Sequence, residues 1–516
     1  MEKLSLTKHP ELLLTIILAI LSTVSTIYYF HQGTILAYGD AESHINIAKR
    51  VVDSLTPGMA QLGGIWLPLP HILMIPFVKW DFLWHTGLAG SIVSGAAYIF
   101  AGYFIYKITN LLTGNKIAGL IGAFIFALNQ NVLYLQATPM GELPLLAFFL
   151  ASIFYLIKYF QDSSNIPVLI FAAFFAFCAT LSRYDGWFLV LFEALAIIIF
   201  YFRKPSSFRE LEGKLILFAT LSFLGILLWF IWDGIILGDP LYFTSSPFSA
   251  KSQQNSWLTK GELPAYKNLS NSLAYYTVTS AANIGIPIAI LSLLGLFIFL
   301  WQKRSMQRLL VILLLSVPFT FYVATLYIGQ SVIFIPQLTP ASFEWRLFNV
   351  RYGIMMVPFA AVFTAYFWSQ WRNRIGKFVT LLLIAFGLLY YGLNQYGMPI
   401  VLADGTLGLS ASKHPEAQTW LAGHYDYGLV LMDDYARTIS IAKSNVPMNN
   451  MIYVGNKPYW EDSLKTPEKY ARWIVMQKGD AIWNGIYENP QVQPLLYKYF
   501  YKIYTSPDIL IFKRQA

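Results

Sequence analysis

The chain is short of cysteine and short of charge. Its 516 residues contain one cysteine, Cys178, inside an apolar run. A disulfide framework and a cysteine-based metal site within one chain are therefore excluded, and Cys178 reads as a packing residue. Only 12% of the residues are charged, against about 25% in an ordinary soluble protein. There is no phosphate-cradling P-loop, no G-x-G-x-x-G before a helix and no H-E-x-x-H. Those absences argue against a nucleotide-driven pump and against a metalloprotease. No basic run alternates with stacking aromatics in the polar part, so the net charge of +9 does not point to nucleic acid.

What the chain does have is apolar length: 56% of its residues are hydrophobic and 17% aromatic. It reads as an α-helical polytopic membrane protein. About eleven runs have the roughly 17–25 residues needed to cross the hydrocarbon core. They lie near 11–30, 82–106, 116–135, 142–160, 166–182, 186–202, 214–236, 281–301, 308–328, 351–371 and 377–396. The first is read as a retained span, because no small-residue cleavage site follows it. The fifth and sixth are separated only by R-Y-D-G, which demands a tight turn or a break.

Lys and Arg set the orientation. One set of short loops holds Lys3, Lys8, Lys107, Lys116, Lys158, Arg203, Lys204, Arg209, Lys214, Lys303, Arg304, Arg308, Arg372, Arg374 and Lys377. The opposite loops hold Asp40, Glu42, Glu142, Asp185, Asp239, Glu262 and Glu344. The asymmetry places the N-terminus in the cytoplasm of a multi-pass cell-membrane protein and the C-terminus outside.

Two domains are expected. Residues 1–397 form the transmembrane module, with a large first external loop at 31–81 and a second at 237–280; residues 398–516 form a small external α/β domain. In the first loop, Ile45, Ala48, Val52 and Leu55 share one face at helical spacing, as in a helix lying along the membrane surface. The run W-L-P-L-P-H then forces a reversal. In the C-terminal part, G-L-V-L-M, M-I-Y-V, W-I-V-M and I-L-I-F read as strands, while H-P-E-A-Q-T-W-L-A-G-H-Y and P-E-K-Y-A-R-W read as helices.

Charged groups kept at membrane depth are costly and usually functional, and four clusters fall on the same expected face. In Y-G-D-A-E-S-H, Asp40 and His44 are four residues apart and share a helical face, while Glu42 points away. Asp40 suits either a helix N-cap or a base that removes a proton from a hydroxyl. His44 reads first as a hydrogen-bonding partner. No cofactor is required; a D-x-E pair beside a histidine is also able to hold a divalent cation, though no second D-x-D supports it. Glu142 opens the fourth span, either to stabilise a helix N-terminus or to join Asp40 around a substrate. Arg183 and Asp185 are close enough to pair. Arg351 and Tyr352 open the tenth span, where the arginine either anchors the helix or grips a phosphate with its planar fork. Lys251 and Arg346 are weaker phosphate contacts. Trp66, Pro68 and Pro70 shape an entrance, and His71 stands where it can touch substrate. Glu193, inside an apolar helix, needs a buried structural partner, and Asp433 and Asp434 need no more explanation than a turn.

An acid in a large first loop, the W-L-P-L-P-H reversal, an acid opening the fourth span and an R-Y opening a late span together resemble the GT-C glycosyltransferases. Within that group the chain looks most like the polyprenyl-phosphate-sugar-dependent members, glycosyltransferase family 39 and the lipid A aminoarabinose transferases. The resemblance covers roughly residues 10–400 as an arrangement. It implies an integral-membrane enzyme that moves a sugar, with inversion, from a polyprenyl-phosphate-linked donor to a hydroxyl on protein, lipid or glycan. It also implies that Asp40 is the base, Glu142 the second acid and Arg351 the group that meets the donor phosphate. D-A-E here replaces the adjacent acids of family 39, which leaves Asp40 and Glu42 both open as the base. The competing reading is a transporter or flippase of lipid-linked sugars, for which inverted repeats and interrupted helices are the usual marks; neither is evident in the sequence. A sugar-binding protein acting through residues 398–516 ranks below both.

Overall fold

The computed structural model describes residues 10–203, 208–247, 249–302, 305–389, 395–409, 411, 415–433 and 439–515. Among the residues named above, Lys3, Lys8, Lys204, Lys303, Arg304 and Asp434 lie outside the described residues, as do residues 390–394 of the expected 377–396 span and His414, the first residue of the run H-P-E-A-Q-T-W-L-A-G-H-Y.

The chain is a mostly helical, multi-pass membrane protein. Among the described residues, five helices are long and apolar enough to cross a bilayer: Pro10–His31, Leu88–Thr113, Glu142–Gln161, Asp185–Phe202 and Val350–Gln370. Among the described residues, three helix pairs pass the same test only together and are bent at a short break. Phe208–Ser222 meets Leu224–Leu237 at 41°, Leu269–Ile284 meets Ile286–Gln302 at 109°, and Met306–Leu315 meets Val317–Tyr327 at 49°. The sharpest bend follows from Gly285, at φ 90, and from Pro287 just beyond it. Pro318 likewise sits in the first turn after the third break, where its missing N–H costs nothing. Interrupted helices, not expected from the sequence, are thus present. Shorter apolar helices cover Leu69–Val78, Lys116–Ala127 and Ile166–Thr180. R-Y-D-G does form the break expected of it: one helix ends at Thr180 and the next starts at Asp185. A Cβ on Gly186 would collide with the Ala179 carbonyl, so only glycine permits so abrupt a restart.

The chain divides into two compact units. The first comprises residues 1–34, 64–70 and 91–409, and carries the long apolar helices.

The second comprises residues 35–63, 71–90 and 410–516. It contains a five-stranded sheet of β1 (Val430–Met432), β2 (Met451–Ile452), β3 (Trp473–Gln477), β4 (Phe500–Thr505) and β5 (Ile509–Arg514), in the order β2-β1-β3-β5-β4. β1 runs parallel to β2 and β3, whereas β5 is antiparallel to both β3 and β4. β1, β2, β3 and β5 are the four apolar runs read from the sequence; β4, F-Y-K-I-Y-T, is a partly exposed edge without that signal. Leu431, Ile474, Met476, Leu496 and Phe512 lie in the core of this sheet, and Leu55 of the first loop packs against it. The first loop is stitched on further by polar contacts. Gln61 accepts from the Tyr453 hydroxyl at 2.8 Å, Asn456 donates to the Thr56 hydroxyl at 3.2 Å, and the Arg50 guanidinium lies 4.1 Å over the Tyr453 ring.

Candidate functional site

Two groups of the residues singled out in the sequence come together, one in each unit. The group in the first unit centres on Glu142, which opens the helix Glu142–Gln161 and has no exposed surface. A negative charge there is favoured by the helix dipole. Its Oε1 accepts from Arg183 Nη1 at 3.0 Å and from Arg351 Nε at 3.2 Å. Arg183 Nε in turn lies 3.4 Å from Asp185 Oδ2. The result is four charges, two of each sign, almost withdrawn from solvent.

Each arginine is held by its backbone. Arg183 stands in the R-Y-D-G break, which is pinned to the Pro-rich reversal: Leu69 N donates to the Leu181 carbonyl at 2.9 Å, and the Tyr184 hydroxyl donates to the Ile65 carbonyl at 2.7 Å. Arg351 lies in a tight helical turn, Val350–Met356, preceded by Asn349 at φ 56. Val350 N donates to Asp404 Oδ2 at 3.1 Å, and its carbonyl accepts from Asn283 Nδ2 at 2.7 Å. Gly353 backs onto Asn283 and the Thr279 carbonyl so closely that a Cβ has no room.

A column of tyrosines supports the two guanidinium groups. Arg183 and Arg351 stand 5.4 and 5.1 Å from the Tyr352 ring, within cation–π range. Tyr352 stacks on Tyr322 at 4.9 Å, and Tyr322 on Tyr276 at 4.9 Å. Arg183 Nη2 also donates to the Tyr322 hydroxyl at 3.2 Å, and the Tyr276 hydroxyl donates to the Tyr352 carbonyl at 3.2 Å. Tyr322, Tyr276, Asn283 and Asp404 were not singled out in the sequence. Lys251, by contrast, is exposed in the first turn of Ala250–Lys260. Arg346 donates to the Pro336 and Thr339 carbonyls. Glu193 accepts from the Ser152 hydroxyl at 2.6 Å.

The group in the second unit lies on the helix Gly39–Val52. Asp40 is half-buried in its first turn, and Tyr38 rather than Asp40 occupies the N-cap position. This helix is not the one-sided element its sequence suggests: Glu42, His44, Asn46 and Lys49 on its polar side are buried as well. His44 Nδ1 and His71 Nε2 are 2.7 Å apart. Burial, followed by the neighbouring His44 and Arg50, pushes the His71 imidazole well below its usual range. Glu42 turns the other way and accepts from Ala442 N at 3.2 Å. Burial raises the Glu42 carboxyl above the ordinary carboxylate range, although Ser440, Ala442, Lys443 and Ile441 oppose that shift. Among the described residues, no three His, Cys, Asp or Glu side chains are grouped as a metal site.

No protein-family model and no curated protein matches the sequence. Solved structures do match. ArnT from Cupriavidus metallidurans bound to undecaprenyl phosphate is similar over 96% of this chain and 98% of its own, with a TM-score of 0.57 and 11% identity. The same protein in its apo state gives 0.53 at 12% identity, over 96% and 97% of the two chains. The archaeal oligosaccharyltransferase AglB from Archaeoglobus fulgidus, in complex with an inhibitory peptide and a dolichol-phosphate, covers 98% of this chain and 74% of its own, at 0.52 and 11%. The fold is thus that of ArnT and AglB, to which the chain is similar over almost its whole length.

Proposed function

We propose that this protein is a membrane glycosyltransferase that moves a sugar from a polyprenyl-phosphate-linked donor to a hydroxyl acceptor on the extracytoplasmic side. The observation that carries the reading is the fixed pair of guanidinium groups, Arg183 and Arg351, sharing one carboxylate above a tyrosine column. Planar forks held in this way suit phosphate oxygens. Two structures of like fold, ArnT and AglB, carry undecaprenyl phosphate and dolichol-phosphate respectively.

In the reaction, Asp40 takes the proton of the acceptor hydroxyl as its oxygen bonds to the anomeric carbon. The bond from that carbon to the phosphate oxygen breaks on the opposite side, and the configuration inverts. Arg351 and Arg183 stabilise the charge that grows on the departing phosphate. Glu142 holds the two arginines in register, with Tyr352 beneath them. His44 and His71 are assigned to the acceptor side, and Asp185 to the alignment of Arg183. Lys251 remains a candidate phosphate contact, and a divalent cation is a testable addition. General-base assistance is worth roughly 10²–10⁴-fold.

Binding of polyprenyl phosphate to the detergent-solubilised protein tests the carrying observation. Arg351→Ala should weaken it markedly, and Asp40→Asn should leave it largely intact. Equal binding by wild type and Arg351→Ala would remove the phosphate role. The bent helix pairs keep a flippase as a second reading; recovery of the lipid-linked sugar unchanged after turnover would favour it.

A further inference from the structure

Beyond the assignment of Asp40, we infer that Glu42 is a positioning residue whose carboxylate fixes the Asp40-bearing helix to residues 440–442 of the C-terminal domain. All the elements involved belong to the second unit. Glu42 Oε1 accepts from Ala442 N at 3.2 Å. The carbonyl of the same Ala442 is bonded by His85 Nδ1, at the end of the short helix Asp81–His85. That short helix returns to the Asp40 helix twice: Asp81 Oδ1 meets Lys49 Nζ at 2.7 Å, and Trp84 Nε1 donates to Asn46 Oδ1 at 2.9 Å. The three segments therefore close into a ring, with Glu42 as the link between the first and the third.

Chemistry separates this role from that of the base. A base needs an oxygen able to reach the acceptor proton, whereas the buried Glu42 carboxylate is turned toward the main-chain amide of Ala442. Residues two apart on a helix do not face each other, so Asp40 and Glu42 are aimed apart. Because that amide only needs an acceptor oxygen, the side-chain carbonyl of glutamine can replace the carboxylate. Alanine cannot. The buried Ala442 amide would then lose this partner, and the helix would loosen at the turn that carries Asp40.

The effect on turnover rests on the transferase reading; the effect on the helix does not. The experiment is therefore hydrogen exchange and transferase kinetics on the full-length protein in detergent, for wild type, Glu42→Gln, Glu42→Ala and Asp40→Asn. Glu42→Ala should speed amide exchange in residues 39–52 and 440–443 and lower kcat roughly tenfold or more, with the donor KM little changed. Glu42→Gln should stay close to wild type in both. Unchanged exchange in Glu42→Ala would overturn the inference. So would a Glu42→Gln variant as inactive as Asp40→Asn, since Glu42 would then be the base. A wild type without transferase activity would sink the transferase reading, while the exchange data would still decide the link.

Discussion

Glu142 answers two arginines with one oxygen and has no exposed surface. Removing it takes the shared anion from both arginines and leaves Asp185 to answer Arg183, and breaking a buried ionic network in this way typically costs about 3–5 kcal/mol. Glu142→Ala should therefore lower the thermal midpoint in detergent by many degrees, and Glu142→Gln by less, as scanning calorimetry would show. Arg351→Ala should weaken polyprenyl-phosphate binding by roughly ten- to a hundredfold, the worth of one charge-assisted hydrogen bond. Glu142, Arg183 and Arg351 were legible in the sequence because charge inside apolar runs stands out. Their supports were not. With 33 tyrosines in the chain, Tyr322 and Tyr276 carry no local signal, and only the fold stacks them beneath Tyr352. Asp404 and Asn283 are similarly plain until they meet the main chain of Val350.

Helix breaks mark where sequence reading and structure part. A hydropathy window reads residues 308–328 as one span, yet Val317 and Pro318 start a new helix at 49° to the old one. Apolar content persists through the bend, so it cannot report it; R-Y-D-G was visible because charge interrupted the run. The turn Val350–Met356 is the element on which Arg351 depends, and Gly353 is its closest approach to Asn283 and Thr279. Gly353→Val should displace that turn, giving a poorly folded protein or one that no longer binds polyprenyl phosphate; normal folding together with normal binding would contradict the packing argument. In the C-terminal sheet, Asp480 receives Gln477 N at 2.7 Å and Trp483 N at 2.6 Å, yet burial pushes its carboxyl up from 3.8 to about 6. A raised carboxyl binds its proton more tightly folded than unfolded. Its contribution is thus fully present below about pH 4 and is lost as pH rises through about 6. Asp480→Asn should flatten the fall in thermal stability across that window, read by unfolding scans at pH 4 to 7.

At the scale of the whole molecule, the first loop is built into the same compact unit as the C-terminal sheet. Deleting residues 398–516 would remove the partners of Glu42, Arg50 and Gln61. A truncated chain is therefore expected to lose activity whether or not that domain binds substrate. This pairing was not legible in the sequence, because the bonded residues are separated by some 400 positions, as Glu42 and Ala442 are. Orientation can be tested directly, since the single cysteine, Cys178, is buried. In intact cells a membrane-impermeant maleimide should label Lys502→Cys and spare Arg372→Cys, which should react only after permeabilisation; the reverse pattern would invert the topology. The central claim is tested most directly by mass spectrometry of envelope glycans and polyprenyl-phosphate sugars from cells carrying wild type or Asp40→Asn. The account predicts that the variant lacks one glycan modification while its lipid-linked donor accumulates. Identical pools in the two strains would contradict it.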